Sequence, residues 1–142
     1  MRSFAREIAF KLIFERLFVK NNYTFDEEFF ASLKKEEDKD FAKNIVIKFE
    51  NNREFLMTLI SNNLIGYEID RVYKTDLALM LEALTEVYYL QTPTQIAINE
   101  VLNLAKKYST EKSSRFINGV LSSIIKKSEI NRWINASHKR YS

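Results

Sequence analysis

The chain has 142 residues, 46% hydrophobic and 29% charged, so it is long enough for one sizeable core and too short for two ordinary domains. It contains 11 Phe and 7 Tyr but only 2 Gly and 1 Pro, which favours long helices over a strand-rich fold with many tight turns. Because it has no Cys and a single His, His138, disulfides, thiolate or His-based metal sites and an internal catalytic triad are excluded.

The charges are distributed unevenly along the chain. Residues 1–20 carry a net charge of +3, residues 21–54 carry −3, residues 55–100 carry −4 and residues 101–142 carry +7. If the two basic ends meet in the fold, they form one basic surface suited to a polyanion; the alternative is a solvated charged face without a partner. Neither a signal peptide nor a run of about 18 apolar residues is found, so we expect a cytoplasmic protein without a membrane segment.

The spacing of apolar residues predicts helices throughout the first half of the chain. The predicted ranges are residues 3–20, 24–33, 41–49 and 55–66. Thr24 and Glu27 have the spacing of a capping box, which starts the second of these helices. Gly66 is expected at the end of the fourth, because glycine tolerates positive φ. The charge run at 34–40 is interpreted as a solvated helix start or loop.

The next predicted helix, residues 77–90, is strongly apolar and carries two acids in its interior. Asp76 lies in its first turn, where a negative charge complements the helix dipole. Glu82 and Glu86 are four residues apart and share one face. Paired carboxylates suit acid–base or metal chemistry, but no His or third acid is near in sequence. We therefore interpret the pair as a face that is solvated or binds a partner.

The clearest helix start in the chain lies at residues 92–95. Thr92 is predicted as the N-cap, Pro93 as the first helical residue and Gln95 as the third. This helix continues along the apolar residues of 96–105 and ends with Lys106 and Lys107. The sequence therefore predicts a well-capped helix with positive charge at its C-terminal end.

A last long helix is predicted to begin at Thr110 and Glu111. Gly119 inside it costs about 1 kcal/mol relative to Ala, so a close helix crossing is expected there. Asn99 and Asn118 stand among apolar neighbours, where a buried amide needs hydrogen-bond partners. Both are interpreted as structural, with a binding role for Asn118 as the alternative.

Two segments resemble the family of the transcription antitermination factor NusB. PTQIAINEVLNLAK at 93–106 with RFINGVL at 115–121 resembles its C-terminal signature, and RSFAREIAFKLIF at 2–14 is similar to its opening helix. The resemblance implies an all-α, compact bundle of about seven helices in two subdomains, with the first and last helices near each other. It places a NusB-like helical RNA-binding domain at residues 1–128 and a tail, a short helix or a frayed end, at 129–142. In that tail Trp133 could dock on the bundle, and Lys139 with Arg140 could extend the basic surface.

The resemblance also implies a function. Family members bind the boxA element of nascent RNA, usually together with NusE, a small-subunit ribosomal protein. The complex helps RNA polymerase, an indirect partner, to read through terminators, notably in ribosomal RNA operons. No catalysis, cofactor or metal is implied, and the sequence leaves open whether the chain is a monomer or a homodimer.

The candidate binding residues follow from the basic ends and from this resemblance. Single-stranded RNA is held by cations on its phosphates and by amide or aromatic groups against exposed bases. Ser3 and Phe4 stand where the family has further arginines. Glu82 and Glu86 lie on the helix expected to face NusE. The predicted RNA-binding residues are Arg2, Ser3, Arg6, Lys106, Lys107, Lys112, Arg115 and Asn118.

Two other interpretations compete with RNA-dependent antitermination. One is a helical protein-interaction module whose RNA binding is lost or weak, which the thinned arginine motif permits. The other is an RNA-binding module related to the N-terminal domains of ribosomal RNA cytosine methyltransferases. An enzyme would need a catalytic domain outside this chain, since no Gly-rich cofactor loop is found in it.

Overall fold

A computed structural model describes the backbone of residues 2–18 and 27–141 and the side chains of residues 2–18 and 28–131. Within these residues the chain forms six α-helices and two short 3-10 helices, without a strand, so the predicted all-α fold is confirmed. The α-helices are α1 (Arg2–Arg16), α2 (Glu36–Asn51), α3 (Arg53–Ser61), α4 (Lys74–Tyr89), α5 (Thr94–Tyr108) and α6 (Glu111–Tyr141). The 3-10 helices are Glu27–Phe30 and Ile69–Arg71.

The predicted capping box and the predicted roles of the tail side chains lie outside the described residues. The capping box of Thr24 and Glu27 depends on side chains that the structure does not describe. The same holds for the side chains of Trp133, Lys139 and Arg140 in the predicted tail. The backbone of α6 continues as one helix from residue 128 into residue 129, where the predicted tail begins. None of the described helices is long and apolar enough to cross a membrane.

Helix α4 is the centre of the bundle. It contacts each of the other five α-helices, and every residue from Asp76 to Glu86 is buried. A helix that is apolar on all sides, as α4 is, has to be enclosed by other elements. The others form two groups around it: α1 packs against α2 and α5, whereas α6 packs against α3 and α5. Helix α5 therefore connects the two groups, and it joins the α1 and α6 ends of the molecule.

Several predicted helix ends differ in the structure. The helix predicted at 3–20 ends at Arg16, and within the described part of the range predicted at 24–33 only Glu27–Phe30 is helical, as a 3-10 helix. Helix α3 ends at Ser61, and Gly66 follows in the loop with a φ of +88°. Its positive φ was expected, but it lies beyond the helix rather than at its end. At the start of α5 the N-cap position belongs to Pro93, not to Thr92, and no side chain caps the helix there. The Thr92 hydroxyl instead donates to Glu86 Oε1 at 3.0 Å.

The start of α6 agrees with its prediction. Thr110 Oγ1 accepts a hydrogen bond from the backbone N–H of Ser113 at 3.1 Å, which is the geometry of an N-cap. The chain turns sharply between α5 and α6, and the turn is attached to α4. Ser109 Oγ and Ser113 Oγ each donate to one carboxylate oxygen of Asp76, both at 2.9 Å. Asp76 thus fixes the corner between α5 and α6 against the first turn of α4.

Candidate nucleic-acid interface

Arg6 lies inside the bundle rather than on an RNA-binding surface. Its Nε donates to both Glu86 oxygens, at 3.0 and 2.8 Å, and its residue surface is only 5% exposed. Its guanidinium also lies 5.2 Å from the ring centroid of Phe41. The prediction that Arg6 contacts phosphates is wrong, because its charge is used in an ion pair between α1 and α4.

Glu82 and Glu86 are both fully buried, each with 0% exposure. Glu86 accepts hydrogen bonds from Arg6 and from the Thr92 hydroxyl. The expectation that the two acids form a solvated or partner-binding face is therefore wrong. No partner can contact them directly, since α4 is enclosed on all sides.

Glu82 has an unusual environment within this core. No donor among the described residues reaches either of its carboxyl oxygens. Burial raises the pKa of Glu82 well above its ordinary value, the Glu86 charge raises it further, and Arg6 offsets part of this. The environment thus favours a neutral, protonated Glu82.

The N-terminal end of α1 and the C-terminal end of α5 meet at the surface. Lys107 Nζ donates to Glu7 Oε1 at 2.9 Å, and this hydrogen bond raises the pKa of Lys107. One pocket of about 310 Å³ lies here, and its lining includes both polar and charged groups: Ser3, Phe4, Glu7, Glu100, Asn103, Leu104 and Lys107. Parts of the two basic ends of the sequence are therefore adjacent, which meets the condition for a shared surface.

The cations at the start of α1 and at the end of α5 are accessible. Arg2 is exposed, and its guanidinium lies 4.5 Å from the centroid of the Phe41 ring, which orients it at the end of α1. Lys106 and Lys107 are exposed at the end of α5. Phe4 is 43% exposed and separates this pocket from a second one of about 260 Å³. Phosphate and base contacts are both available here.

The exposed face of α6 continues from this end of the molecule. Lys112, Arg115, Asn118 and Gly119 are all exposed, and their spacing of three and four residues places them on one face of the helix. The expected burial of Asn118 is wrong, and so is that of Asn99, whose Oδ1 accepts from Gln95 on the exposed side of α5. A Cβ added to Gly119 would meet nothing within 4 Å, so the predicted helix crossing is absent there.

No group of three or more His, Cys, Asp or Glu side chains in the described part of the chain could hold a metal ion.

Comparison with known proteins identifies one family of similar sequences. The model of the NusB family matches residues 3–126. A transcription antitermination protein NusB of Finegoldia magna is 38% identical over 132 residues, which are 88% of this chain and 93% of that protein.

The chain belongs to the NusB family. A solved structure of T. maritima NusB has a TM-score of 0.81 and 26% identity, covering 89% of this chain and 91% of the other. A crystal structure of the antitermination factors NusB and NusE with double-stranded RNA has a TM-score of 0.78 and 26% identity. It covers 89% of this chain and 96% of that one.

In this member of the NusB family, the structure adds two residues to the candidate site. Phe4 and Asn103 line the pocket beside Lys107, and neither was among the predicted site residues. The sequence contained a pattern that indicates the exposure of Phe4. Lys11 and Glu15, seven and eleven residues further along, mark the exposed face of α1, and Phe4 lies on that face. The position of Asn103 depends on how α5 packs against α1, which the spacing within one helix does not give.

Proposed function

We propose that this protein is a transcription antitermination factor that binds boxA-type single-stranded RNA together with NusE. In the cytoplasm, the assembly would act on RNA polymerase to promote read-through, notably in ribosomal RNA operons. The observation that carries the proposal is the likeness to the NusB and NusE complex with RNA, which extends over most of both chains. We propose no catalytic step.

The surface charges support an RNA track that runs from α1 to α6. Its cations are Arg2, Lys106, Lys107, Lys112 and Arg115, and Ser3 and Asn118 add polar groups. Arg6 is left out, since its guanidinium is paired within the core. Cations on phosphates supply most of the affinity of such a track, so binding should weaken as salt increases.

Gly119 gives a further reason to place RNA along α6. Glycine inside a helix costs about 1 kcal/mol relative to Ala, and no packing contact at Gly119 compensates for it. A missing side chain at an exposed position lets another backbone approach closely. Asn118 and Arg115 flank this flat position, so a sugar–phosphate chain could lie against the helix there.

A titration of labelled RNA tests the proposal. The boxA-type RNA and a scrambled control should be compared with and without NusE, each single-stranded and as a duplex. Lys112→Ala with Arg115→Ala should weaken binding, whereas Lys48→Ala on α2 removes one charge outside the track and should not. A protein that retains NusE but shows no RNA binding would instead be a protein-interaction module.

A further inference from the structure

We infer that a surface pocket between residues 67–73 and the first turns of α6 binds one unstacked base of the RNA. The pocket has a volume of about 300 Å³ and is lined by Tyr67, Tyr73 and Phe116, with Arg71 and Lys112 also contributing. This inference rests on the proposed function, because it adds a base-binding contact to the same RNA interface. The similarity to the NusB and NusE complex, which supports the proposed function, does not depend on this pocket.

The aromatic side chains are the first reason. The rings of Tyr67 and Phe116 are stacked, with centroids 5.9 Å apart and planes at 30°. Tyr73 is 76% exposed. Three rings therefore line one small pocket, and the most exposed of them offers its surface to water. Bases of single-stranded RNA stack on such rings regardless of sequence, because every base has a π face.

The N-terminal capping of α4 does not explain why a tyrosine stands at position 73. It occupies the N-cap position of α4, where Ser, Thr, Asp or Asn would accept a hydrogen bond from the helix. Tyr73 makes no side-chain capping hydrogen bond. A large aromatic residue that neither caps the helix nor enters the core is available for a ligand.

The charges around the pocket suit an RNA strand. Arg71 and Lys112 are exposed and can contact phosphates on either side of a bound base. Asp76 also lines the pocket, but it is only 3% exposed, and both of its oxygens accept hydrogen bonds from serine hydroxyls. Burial and the Asp76 charge together raise the pKa of Tyr67, so the Tyr67 ring in this pocket stays neutral.

The pocket adjoins the proposed RNA track. Lys112 lines it and also begins the exposed row on α6 that continues to Arg115 and Asn118. An RNA strand that follows the α5–α6 corner from Lys107 to Arg115 would pass the pocket, because Thr110, Lys112 and Ser113 of that corner line it. The volume lies near the lower end of ligand pockets, which suits one base and no larger group. A base in a duplex could not enter, because it is held in its stack.

The test compares Tyr73→Leu, which keeps bulk without a ring, with Tyr73→Phe, which keeps the ring. Loss of one base-stacking contact should weaken binding of single-stranded RNA about five- to tenfold in Tyr73→Leu and leave Tyr73→Phe unchanged. Phe55→Leu is the matched control, since Phe55 is an exposed ring on α3 that packs edge-on against Tyr88, away from the pocket. Melting curves of all three variants should match the parent protein.

Two readouts separate stacking from charge. The slope of log affinity against log salt should stay the same in Tyr73→Leu and fall by about one in Lys112→Ala, because only the second loses a phosphate contact. RNAs carrying 2-aminopurine at successive positions should show a fluorescence change at one position, and Tyr73→Leu should abolish it. Free mononucleotides added in excess should compete for that signal only weakly, because they lack the contacts along the track.

The outcomes distinguish this inference from the proposed function. If Lys112→Ala weakens RNA binding but Tyr73→Leu binds like the parent, the interface stands and the pocket assignment is wrong. If Tyr73→Leu loses affinity for NusE instead of RNA, the pocket holds a protein side chain and the inference is also wrong. If the parent protein binds no RNA even with NusE, the proposed function itself fails.

Discussion

Arg6 shows how a residue from a basic motif can serve the fold. Its ion pair with Glu86 joins α1 to α4 where both side chains are buried. Removing one partner of a buried pair leaves an unpaired charge in the core, which typically costs about 3–5 kcal/mol. We therefore expect Arg6→Ala to lower the free energy of unfolding by about that amount in urea titrations followed by circular dichroism.

Arg2→Ala provides the comparison, since Arg2 is exposed and should change stability by less than about 0.5 kcal/mol. Arg6→Met with Glu86→Met should recover part of the loss, because no charge is then left without a partner. An Arg6→Ala protein as stable as the parent would show that the pair does not hold the helices together. Loss of RNA binding in Arg6→Ala cannot by itself identify an RNA contact.

Glu82 leads to a prediction about pH. Burial, the Glu86 charge and the weaker opposing effect of Arg6 together place the pKa of Glu82 above its unfolded value. The folded state then binds more protons than the unfolded state between the two pKa values, so stability falls as pH rises through that window. The side chain introduced by Glu82→Gln cannot ionise, so this variant should not show that decrease in stability with rising pH. Relative to Glu82→Gln, the parent protein should lose about 1.4 kcal/mol per pH unit above the unfolded pKa, until the folded pKa is reached.

Unfolding curves of both proteins at a series of pH values measure this difference. At low pH, where the parent Glu82 is protonated in both states, the two stabilities should be close. A constant difference at every pH would contradict the prediction, because it would mean that Glu82 has the same pKa in the folded and unfolded states. Glu82→Asp is a useful comparison, because it keeps an ionisable group on a side chain that is one methylene shorter.

The residues that sequence reasoning misplaced share one physical cause. Spacing of three and four residues identifies a common face for Glu82 and Glu86, but it does not say whether another helix covers that face. In α4 every face is covered, so acids there have to be paired or neutral. The apolar character of α4 on all sides was the available signal. Asn118 shows the opposite error, since its apolar neighbours point inward while its own side chain is exposed.

Among the elements, the order of the long helices followed from the sequence, because long apolar periods and few glycines leave little choice. The predicted helix at 24–33 was the exception, since only a 3-10 helix at Glu27–Phe30 is found within its described part. The exact starts were less predictable. Thr92 has the residue type of an N-cap, but its hydroxyl bonds to Glu86 instead, a partner six residues away that only the packed structure brings close. Thr110, whose hydroxyl faces the backbone of its own helix, was predicted correctly.

Helix α6 gives a prediction on capping. Thr110→Ala removes the acceptor for the Ser113 N–H and should lower stability by about 1 kcal/mol. Thr58→Ala is the control, because its exposed hydroxyl bonds only to a carbonyl within α3. Urea unfolding distinguishes them, and equal effects of the two substitutions would contradict a capping role for Thr110.

Gly119 offers a prediction in which stability and binding change in opposite directions. Gly119→Ala places a Cβ in open space, so it should stabilise the helix by about 1 kcal/mol. The same methyl group should weaken RNA binding, since it separates the RNA backbone from α6. Ser122→Ala, at an exposed position one turn further along, should leave stability almost unchanged. If Gly119→Ala is more stable and binds RNA as tightly as the parent protein, the RNA backbone does not approach α6 closely at this position.

At the scale of the whole molecule, the distribution of charge supports the proposed binding of RNA by a chain whose net charge is only +3. The acids of the middle segment are partly withdrawn into the core, as with Glu82 and Glu86. The basic ends meet where Lys107 pairs with Glu7, and they continue along α6. The surface at this end is therefore more basic than the composition suggests.

A salt titration of binding between the protein and boxA-type RNA, with NusE present and absent, addresses the proposed interface as a whole. We expect tighter binding with NusE, discrimination against a scrambled RNA, and a steep decrease in affinity with salt. The slope should become shallower by about two in the Lys112→Ala, Arg115→Ala double variant, because two phosphate contacts are lost. Equal affinity for both RNAs, unaffected by salt and by NusE, would contradict the proposed function.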